Sequence, residues 1–562
     1  MTKAIYAQVI KEKTNGSLTM DAVIDLIEKP KFKEQGDLAF PCFALAKTMR
    51  KAPQKIAQEL AVKIEHPLFE KVVADGPYVN CFLDKQTVSK QIVDAVLTAG
   101  SAYGSRSFGE GCSIAIDFSS PNIAKPFSMG HLRSTVIGNS LARIAEKCGY
   151  SAIRINYLGD WGTQFGKLIV AYQLWGSEEK VKEAPIKELL ALYVKFHKEA
   201  EKDPGLNEAG RLWFKKLEEG NEEAQELWKW FRDESLQEFS KIYELLGVDF
   251  DSTAGEAFYN DKMENVLDLL NDQNLLAPSQ GAEVVDLTEY RMPPLLAKKS
   301  DGATLYATRD LAAALYRQEQ YRFSKAWYVV GYEQTLHFQQ LFLVLQKMGF
   351  KWAQEMVHIP FGFVLKNGKK MSTRKGEVVL LEEVLAEAIR LAEKNITKKN
   401  PSLANKQEVA ENVAVGAVIF HDLKNDRQNN VEFSLEDMLK FEGTTGPYVQ
   451  YTHARACSIL RKSAKEIGTE SSRGLADEAS WPVAKLLMEF PVVIEKSFHE
   501  NEPSAIAKYV IELAQEFNKY YAQVKILADD GEQESRLALV KAVTVVLAEG
   551  LRLLGIKAPD EM

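Results

Sequence analysis

Short apolar runs alternate with helical periodicity in the middle of the chain. Residues 113–118 form an apolar run that is typical of a buried strand. Apolar positions then recur at helical spacing from Leu132 to Cys148, and Gly149 follows as a natural helix stop. A second strand-like run covers residues 152–157. Strand, helix and strand in this order form a βαβ unit, which predicts a parallel sheet.

The same alternation returns later in the chain. Residues 326–331 are typical of a strand and residues 335–348 of a helix. Residues 363–371 indicate a hairpin that turns at Asn367-Gly368. Between the two αβ stretches, a charged segment with helical pattern from about 176 to 246 predicts a helical insertion on the sheet domain.

The two ends of the chain depart from the αβ pattern. Near the N-terminus, a helical pattern at 51–65 precedes a strand-like run at 78–83, and the small residues of 98–109 indicate a flexible linker. Beyond about residue 395 almost every segment is typical of amphipathic helix. We therefore predict a multidomain α/β protein with a small α+β N-terminal domain (1–108), a Rossmann-like parallel-sheet catalytic domain (109–395) and a C-terminal α-helical bundle (396–562).

Composition supports this division and narrows the class of protein. The 562 residues exceed what one core accommodates, and 46% hydrophobic and 26% charged residues are ordinary globular values. No stretch approaches the roughly 18 apolar residues of a membrane span, and the N-terminus lacks the apolar core of a signal peptide. The five cysteines are widely spaced, without a CxxC pair or a histidine at zinc-ligand spacing. We expect a cytoplasmic protein without disulfides or a protein-bound metal.

Two loops are candidates for a nucleotide site. In an open parallel sheet, ligands bind beyond the carboxyl ends of the strands, where a helix N-terminus offers free N–H groups to phosphates. Residues 119–131 form such a loop, in which Gly130 allows close backbone approach and His131 opens the helix. The basic loop 370–376 (KMSTRKG) follows much later. Each loop alone is ordinary, but both together around a βαβ unit indicate nucleotide binding.

These segments carry a family resemblance. PNIAKPFSMGHLRSTVIG (121–138) resembles the HIGH region of the class I arginyl-tRNA synthetases, and KMSTRKG resembles their KMSKS loop. The resemblance covers the whole chain, and it includes INYLGDWGTQFG (155–166), GEAFYND (255–261), YATRDLAAA (306–314), VVGYEQTLHF (329–338), YVQYTHAR (448–455) and the N-terminal GDLAFPCFALAK. It implies an arginine–tRNA ligase that forms arginyl-adenylate from arginine and ATP and transfers arginine to the 3′-terminal adenosine of tRNA(Arg), releasing AMP and pyrophosphate.

The resemblance also implies which residues handle ATP. Ser128 replaces the first histidine of the HIGH pattern and Thr373 replaces the second lysine of KMSKS, so two potential phosphate ligands are lost. Lys125 is the substitute cation that the resemblance implies. The implied catalytic residues are Lys125, His131 and Lys370, and the implied ATP contacts are these three with Ser128, Gly130, Met371 and Ser372. Mg²⁺ is expected with ATP as part of the substrate.

An arginine pocket has to hold a planar guanidinium, which carboxylates bind in a bidentate manner and aromatic rings cover. Tyr306 and Asp310 are four residues apart and share one face of a helix, although such pairs are also common on exposed helices. By resemblance these two residues and Glu256 bind the guanidinium. Asn122 and Gln334 are implied to hold the α-amino and carboxylate groups of the substrate.

Aromatic residues near both ends are candidates for tRNA contacts, because single-stranded bases stack on aromatic rings. In the C-terminal bundle (396–562), which resembles an anticodon-binding domain, these are Tyr448, Tyr451 and Tyr521, with Arg455 and Arg461 available for phosphates. Packing in the core is an equal alternative for each tyrosine. In the N-terminal domain, which resembles the one that grips the tRNA elbow at the D-loop, the alternating residues are Tyr78, Asn80 and Phe82; a buried strand face competes with that role.

The partners implied are tRNA(Arg), L-arginine and ATP, without DNA or membrane, and the chain is expected to be a monomer. The net charge of −8 argues only mildly against nucleic acid, because a large enzyme can collect its basic residues on one face. One alternative is another HIGH-type synthetase or a small nucleotidyltransferase with a different acceptor. A second is a tRNA-binding synthetase-like paralogue without full activity, for which Ser128 is the argument.

Overall fold

The computed structural model describes residues 2–299, 306–370, 380–463, 465–469 and 473–562, with only the backbone of Lys33 and Lys370. Its first part is a small α+β domain. An antiparallel sheet of order β1-β3-β2 packs one face on the helices. The elements are α1 Thr2–Lys13, α2 Met20–Leu26, β1 Leu38–Pro41, α3 Phe43–Met49, α4 Pro53–Lys63, β2 Phe69–Asp75, β3 Tyr78–Leu83 and α5 Lys85–Ala99.

The central part is built on a parallel sheet, as the βαβ pattern predicts. Its strand order is β10-β9-β4-β5, and every neighbouring pair is parallel. The elements are β4 Ser113–Asp117, α6 Met129–Lys147, β5 Ser151–Ile155, α7 Thr163–Trp175, α8 Glu178–Glu183, α9 Pro185–Ala200, α10 Gly205–Glu218, α11 Glu222–Leu246, α12 Met263–Asp272, β6 Leu276–Ser279, β7 Ala282–Val285, β8 Leu295–Lys298, α13 Tyr306–Tyr321, β9 Lys325–Gly331, α14 Thr335–Lys347, β10 Met356–Phe361, β11 Val364–Lys366 and β12 Lys369–Lys370. The charged segment from about 176 to 246 is helical, in α8 to α11.

The predicted hairpin is also present. Strands β11 and β12 pair in an antiparallel manner, with Lys366 opposite Lys369. Asn367 and Gly368 both have positive φ, of 54° and 71°, which is the geometry of the tight hairpin turns that favour Asn-Gly.

The C-terminal part is an α-helical bundle. Its elements are α15 Leu381–Lys399, α16 Lys406–Leu423, β13 Val431–Glu432, α17 Leu435–Met438, α18 Gly446–Ser463, α19 Trp481–Glu500, α20 Ser504–Gln523 and α21 Gln533–Leu553. The short strand β13 pairs with β11, so the bundle is joined by backbone hydrogen bonds to the hairpin of the central part. The predicted fold class is thereby confirmed. Within the described residues, no helix combines the length and apolarity that a bilayer crossing requires.

Residues 98–109 pack against the bundle, although the sequence predicts a flexible linker there. The Tyr103 ring stacks on Phe490 of α19 with a centroid distance of 6.3 Å, and its hydroxyl donates to the Leu487 carbonyl at 2.9 Å. Arg106 forms an ion pair with Glu495 at 3.2 Å. The prediction of flexibility is therefore wrong, because small residues such as Gly104 serve here to let the chain pass close to α19.

Helix α5 joins the N-terminal domain to the bundle. Its buried face packs against α19 and α21. Ser89 of α5 donates to the Leu475 carbonyl at 2.8 Å and accepts from the Leu475 N–H at 2.9 Å. A Cβ added at Gly474 would lie 1.7 Å from the Gln86 carbonyl oxygen, so only glycine fits this close approach.

A buried ion pair joins α6 to the bundle. The Arg133 Nε lies 2.9 Å from Asp422 of α16, and both side chains are almost fully buried. The other guanidinium nitrogens of Arg133 donate to the carbonyls of Asn429 and Arg427. Those carbonyls belong to the segment that leads into β13. One side chain of α6 thus connects the central sheet domain with the strand that supports the hairpin.

We predict that Asp422→Ala lowers the free energy of unfolding by about 3–5 kcal/mol, because removing one partner leaves the buried Arg133 charge uncompensated. The measurement is urea unfolding followed by tryptophan fluorescence. The matched control is Glu489→Ala, whose ion pair with Lys29 is solvent-exposed and should contribute less than about 1 kcal/mol. Equal effects of the two substitutions would contradict the structural role of the buried pair.

Candidate active site

The loop between β4 and α6 adopts a strained backbone. Ser119, Ser120 and Ala124 all have positive φ, of 75°, 48° and 57°. Side-chain acceptors hold their N–H groups: Ser134 Oγ accepts from Ser119 at 2.9 Å, Asn156 Oδ1 from Ser120 at 3.2 Å, and Ser235 Oγ from Ala124 at 2.9 Å. These contacts come from three different helices and loops. The loop is therefore a fixed surface at the carboxyl end of the sheet.

His131 is held in one tautomer at the start of α6. Its Nδ1 accepts from the Ser128 backbone N–H at 3.0 Å, so in the neutral ring the proton is on Nε2. Burial lowers the pKa of His131 to about 4, and the charge of Lys125 adds to the effect. At neutral pH the ring is thus an uncharged hydrogen-bond donor.

Lys125 lies close enough to influence His131. Its Nζ donates to Gln164 Oε1 of α7 at 3.3 Å and lies 5.9 Å from the centre of the Tyr193 ring. The side chain is half-buried. A lysine so placed differs from an ordinary surface lysine in a loop, and its charge helps to lower the pKa of His131.

The described residues that flank the basic loop are held by backbone contacts, on one side to the start of α6. Leu380 forms an antiparallel bridge with Ser128, and the Leu381 N–H donates to the Phe127 carbonyl at 3.2 Å. On the other side of the loop, the backbone of Lys370 pairs with Leu365 in the hairpin. Met371, Ser372 and Thr373 lie outside the described residues.

All five residues predicted for amino-acid binding line one cavity of about 310 Å³. The cavity lies at the carboxyl ends of β4 and β9, where Asp117 and Val330 form part of its wall. This is the place where open parallel sheets bind ligands. The five residues are Asn122, Glu256, Tyr306, Asp310 and Gln334.

Asp310 is positioned by two residues that the sequence analysis did not single out. Its Oδ1 accepts from the Tyr157 hydroxyl at 3.0 Å, and its Oδ2 lies 2.6 Å from His337 Nε2. The ring of His337 also lies 4.8 Å from that of Tyr306. Both missed residues stand within segments that carry the family resemblance, INYLGDWGTQFG and VVGYEQTLHF, which was the available signal.

Glu256 is a carboxyl group with a raised pKa. Burial raises the pKa of Glu256 to about 7, with a contribution from the nearby carboxylates of Asp310 and Asp160 and against the opposing charge of Arg309. A cation in the cavity would favour the ionised form of this group. The arrangement therefore suits a positively charged ligand.

A third carboxylate in the cavity is already neutralised. Asp117 Oδ2 accepts from Arg317 Nη1 at 2.7 Å, and both side chains are buried. The Arg317 guanidinium lies against aromatic rings, 5.0 Å from the centre of Tyr157 and 5.8 Å from that of Tyr328. The two residues of this pair are 200 positions apart, and no local sequence pattern marks them. Its charges cancel, so Glu256 and Asp310 are left to receive a cation.

The aromatic candidates of the bundle meet on one surface of α18 and α20. The Arg455 guanidinium lies 4.8 Å from the centre of the Tyr451 ring and 5.4 Å from that of Tyr521. The Tyr448 hydroxyl accepts from Asn518, which also receives a hydrogen bond from Arg455. The Tyr521 side chain is exposed. Arg461 lies apart from this group, in an ion pair with Glu561 at 3.2 Å.

The candidates of the N-terminal domain share the face of β3 that points away from the core. Asn80 and Tyr78 line a cavity of about 320 Å³ together with Lys29 and the exposed Phe32. The buried Asn80 Oδ1 has no hydrogen-bond partner among the described residues. Phe82 lies on the same face, under Lys71 at 4.3 Å. The cavity therefore offers aromatic rings, an amide and charges of both signs, because two lysines and two carboxylates line it.

Comparisons with known proteins agree along the whole chain. Three family models match: the arginyl tRNA synthetase N terminal domain over residues 4–83, the catalytic domain of tRNA synthetases class I (R) over 92–435, and the DALR anticodon binding domain over 449–562. The arginine–tRNA ligases of Exiguobacterium sibiricum and Enterococcus faecalis are 61% and 60% identical to the chain, each over 100% of both chains.

Solved structures show the same fold. The arginyl-tRNA synthetase of Thermus thermophilus superposes with a TM-score of 0.80 at 26% identity, covering 99% of this chain and 98% of that one. The arginyl-tRNA synthetase of Plasmodium falciparum gives a TM-score of 0.80 at 25% identity, covering 100% and 98%.

We predict that His131 remains neutral, with its proton on Nε2, from pH 8 down to about 5. In the unfolded chain a histidine is protonated near pH 6.5, whereas in the folded protein the pKa of His131 is lowered to about 4. The folded state therefore loses stability as the pH falls from about 6.5 to about 4. The measurement is ¹⁵N NMR of histidine-labelled protein, with His131→Gln to assign the signal. A titration of that signal near pH 6.5 would contradict the assignment.

Proposed function

The chain belongs to the arginyl-tRNA synthetase family, and we propose that the cavity at the carboxyl ends of β4 and β9 is where it binds arginine. The enzyme is an arginine–tRNA ligase of class I, which uses ATP to charge tRNA with arginine. The observation that supports the location is that five residues from four separated segments of the chain line this one cavity.

In the proposed binding mode, the guanidinium of arginine lies between Asp310 and Glu256. The Asp310 carboxylate is already oriented by Tyr157 and His337, so little rearrangement is needed for a bidentate contact. The ring of Tyr306 covers the guanidinium. Asn122 and Gln334 hold the α-amino and carboxylate groups at the other end of the cavity.

ATP is proposed to bind along the N-terminus of α6, as a complex with Mg²⁺. The backbone near Ser128 and Gly130, the neutral ring of His131 and the charge of Lys125 face its phosphates, and Lys370, Met371 and Ser372 approach from the other loop. The arginine carboxylate attacks the α-phosphate and pyrophosphate leaves. Stabilisation of the phosphate charge and positioning then account for catalysis, and no side chain acts as a nucleophile.

The transfer step uses a terminal ribose hydroxyl of tRNA(Arg), the 2′-OH in this class, which attacks the adenylate and releases AMP. We propose that Tyr448, Tyr451, Arg455 and Tyr521 receive anticodon bases, since they form one partly exposed aromatic surface. Tyr78, Asn80 and Phe82 are proposed to grip the tRNA elbow. The enzyme is proposed to act as a cytoplasmic monomer, without DNA or membrane as partners.

The alternative of an inactive tRNA-binding paralogue rested on Ser128. The Ser128 backbone N–H donates to His131, and a backbone donor is present whichever side chain stands at position 128. The replacement of histidine by serine therefore leaves this contact in place. No observation favours the inactive alternative.

We expect ATP–pyrophosphate exchange with arginine and with no other standard amino acid, and only when tRNA(Arg) is present. The tRNA requirement follows from the family, in which activation needs bound tRNA. Exchange is measured with each amino acid, with and without tRNA. Exchange with a different amino acid would contradict the function, whereas exchange with arginine alone would contradict only the tRNA requirement.

Asp310→Asn should raise KM for arginine about 10- to 150-fold, because a charge-assisted hydrogen bond worth about 1.5–3 kcal/mol is weakened. KM for ATP should change little. The matched control is Asp261→Asn, since Asp261 is largely exposed and pairs with Lys262. An unchanged KM for arginine in Asp310→Asn would show that this carboxylate does not contact the substrate.

Lys125→Ala should slow adenylate formation by about 10²- to 10³-fold, as expected for the loss of one positioned electrostatic group. Affinities for arginine and tRNA should stay nearly the same. Thr373→Lys on that background restores a lysine from the second loop, and partial recovery is expected. The control is Lys215→Ala, an exposed lysine on α10. Full activity of Lys125→Ala would contradict the proposed role.

A further inference from the structure

Three different metal-binding side chains meet at the end of the chain. His453 and Cys457 are four residues apart on α18, so they lie on the same face of the helix. The segment that follows α21 crosses this face and brings Asp560 beside them. His453 Nε2 lies 3.8 Å from Cys457 Sγ, and Sγ lies 3.5 Å from an Asp560 carboxylate oxygen. The three donor atoms all lie within 4.8 Å of one another.

Two of the three separations, those that involve Cys457 Sγ, are close to those of a tetrahedral zinc site. Zinc binds sulfur at about 2.3 Å and nitrogen or carboxylate oxygen at about 2.0–2.2 Å, so neighbouring ligand atoms in a tetrahedron are about 3.4–3.6 Å apart. The Sγ–Nε2 and Sγ–Oδ1 distances therefore need to change by only a few tenths of an ångström. Among the described residues, no other trio of His, Cys, Asp or Glu donors lies so close together.

The tautomer of His453 fits a ligand role. Its Nδ1–H donates to the Pro559 carbonyl at 3.1 Å, which leaves Nε2 unprotonated. Cys457 Sγ lies 3.8 Å from Nε2 and 3.9 Å from Nδ1, so the ring or Sγ has to shift before both donors can bind one ion. Metal-binding histidines generally use their second nitrogen in this way. The imidazole is buried, and a fixed tautomer removes part of the ordering cost of binding.

The segment that supplies Asp560 is itself anchored. The Asp560 carbonyl accepts from Arg461 at 3.1 Å, and the Lys557 carbonyl accepts from Gln450 at 2.8 Å. Further along, the Met562 carbonyl lies 3.4 Å from the Asn400 amide nitrogen. The third ligand is thus held in place by contacts on both sides.

We propose that His453, Cys457 and Asp560 form a three-ligand site for Zn²⁺, with water at the fourth position. The donor set of thiolate, imidazole and carboxylate selects a borderline metal such as zinc over Mg²⁺ or Ca²⁺, which prefer oxygen ligands alone. The site fastens the C-terminal segment to α18, the helix that carries Tyr451 and Arg455. It stands independently of the proposed arginine and ATP sites.

The proposed site disagrees with two expectations from the sequence. The sequence has no CxxC pair and, by linear spacing, no histidine placed to join a cysteine, and from these two observations no protein-bound metal was expected. The expectation about the histidine is wrong, because a spacing of four residues places His453 and Cys457 together once the segment is helical. Asp560, a hundred residues away, completes the group only through the fold.

The test uses the full-length chain after removal of metals with a chelator, and Co²⁺ as a spectroscopic probe. Stoichiometric Co²⁺ should produce a thiolate-to-metal charge-transfer band and the intense visible bands of tetrahedral cobalt, and Zn²⁺ should abolish both. Cys457→Ser should remove the charge-transfer band. The matched control is Cys112→Ser, a cysteine of similar partial burial outside the group.

Asp560→Asn should weaken Zn²⁺ binding at least about tenfold in competition with a chromophoric chelator. Because Asp560 is exposed, this substitution does not disturb the core, so weakened binding cannot be ascribed to misfolding. Absence of the cobalt bands in the wild-type chain, or their persistence in Cys457→Ser, would overturn the proposal. These experiments measure metal binding, whereas the proposed function is tested by ATP–pyrophosphate exchange. Either proposal can therefore fail while the other holds.

Discussion

The arrangement of the active site depends on the burial of polar side chains along α6. A buried donor or acceptor without a partner costs about 1–3 kcal/mol, so each of these side chains has to find one. Arg133 reaches Asp422 in the bundle, Ser134 donates to the Val329 carbonyl of β9 at 2.7 Å, and Thr135 donates to Ser119 of the strained loop at 2.8 Å. The helix that carries His131 is therefore fixed to three parts of the molecule at once.

Local pattern was sufficient where a feature depends on neighbours in the chain. The parallel sheet followed from the spacing of apolar runs, the hairpin from Asn367-Gly368, and the shared face of Tyr306 and Asp310 from helical periodicity. Glu256 and Gln334 were assigned to the same binding site only through the family resemblance, because no sequence periodicity relates residues so far apart.

The remaining features depend on contacts between distant segments. His337 and Tyr157 orient Asp310 from two other elements, and neither has a local pattern that marks it. The buried Asp117–Arg317 pair joins residues 200 positions apart. Composition was misleading for residues 98–109, because glycine and serine there allow close packing. Asp560 is more than a hundred residues from His453 in the chain, so the sequence does not show that the two side chains lie close together.

The interlocking of α5 with the bundle bears on how this chain can be shortened. Val88, Ile92 and Val96 are buried against α19 and α21, and Gly474 leaves no space between the segments. A fragment that begins at β4 would expose to water the apolar surfaces that α5 now covers, and such surfaces promote aggregation. Helix α5 is thus part of the structural unit that includes the bundle, although it follows the N-terminal sheet directly in the chain. Proteolysis in this region should accordingly release insoluble fragments instead of an autonomous catalytic core.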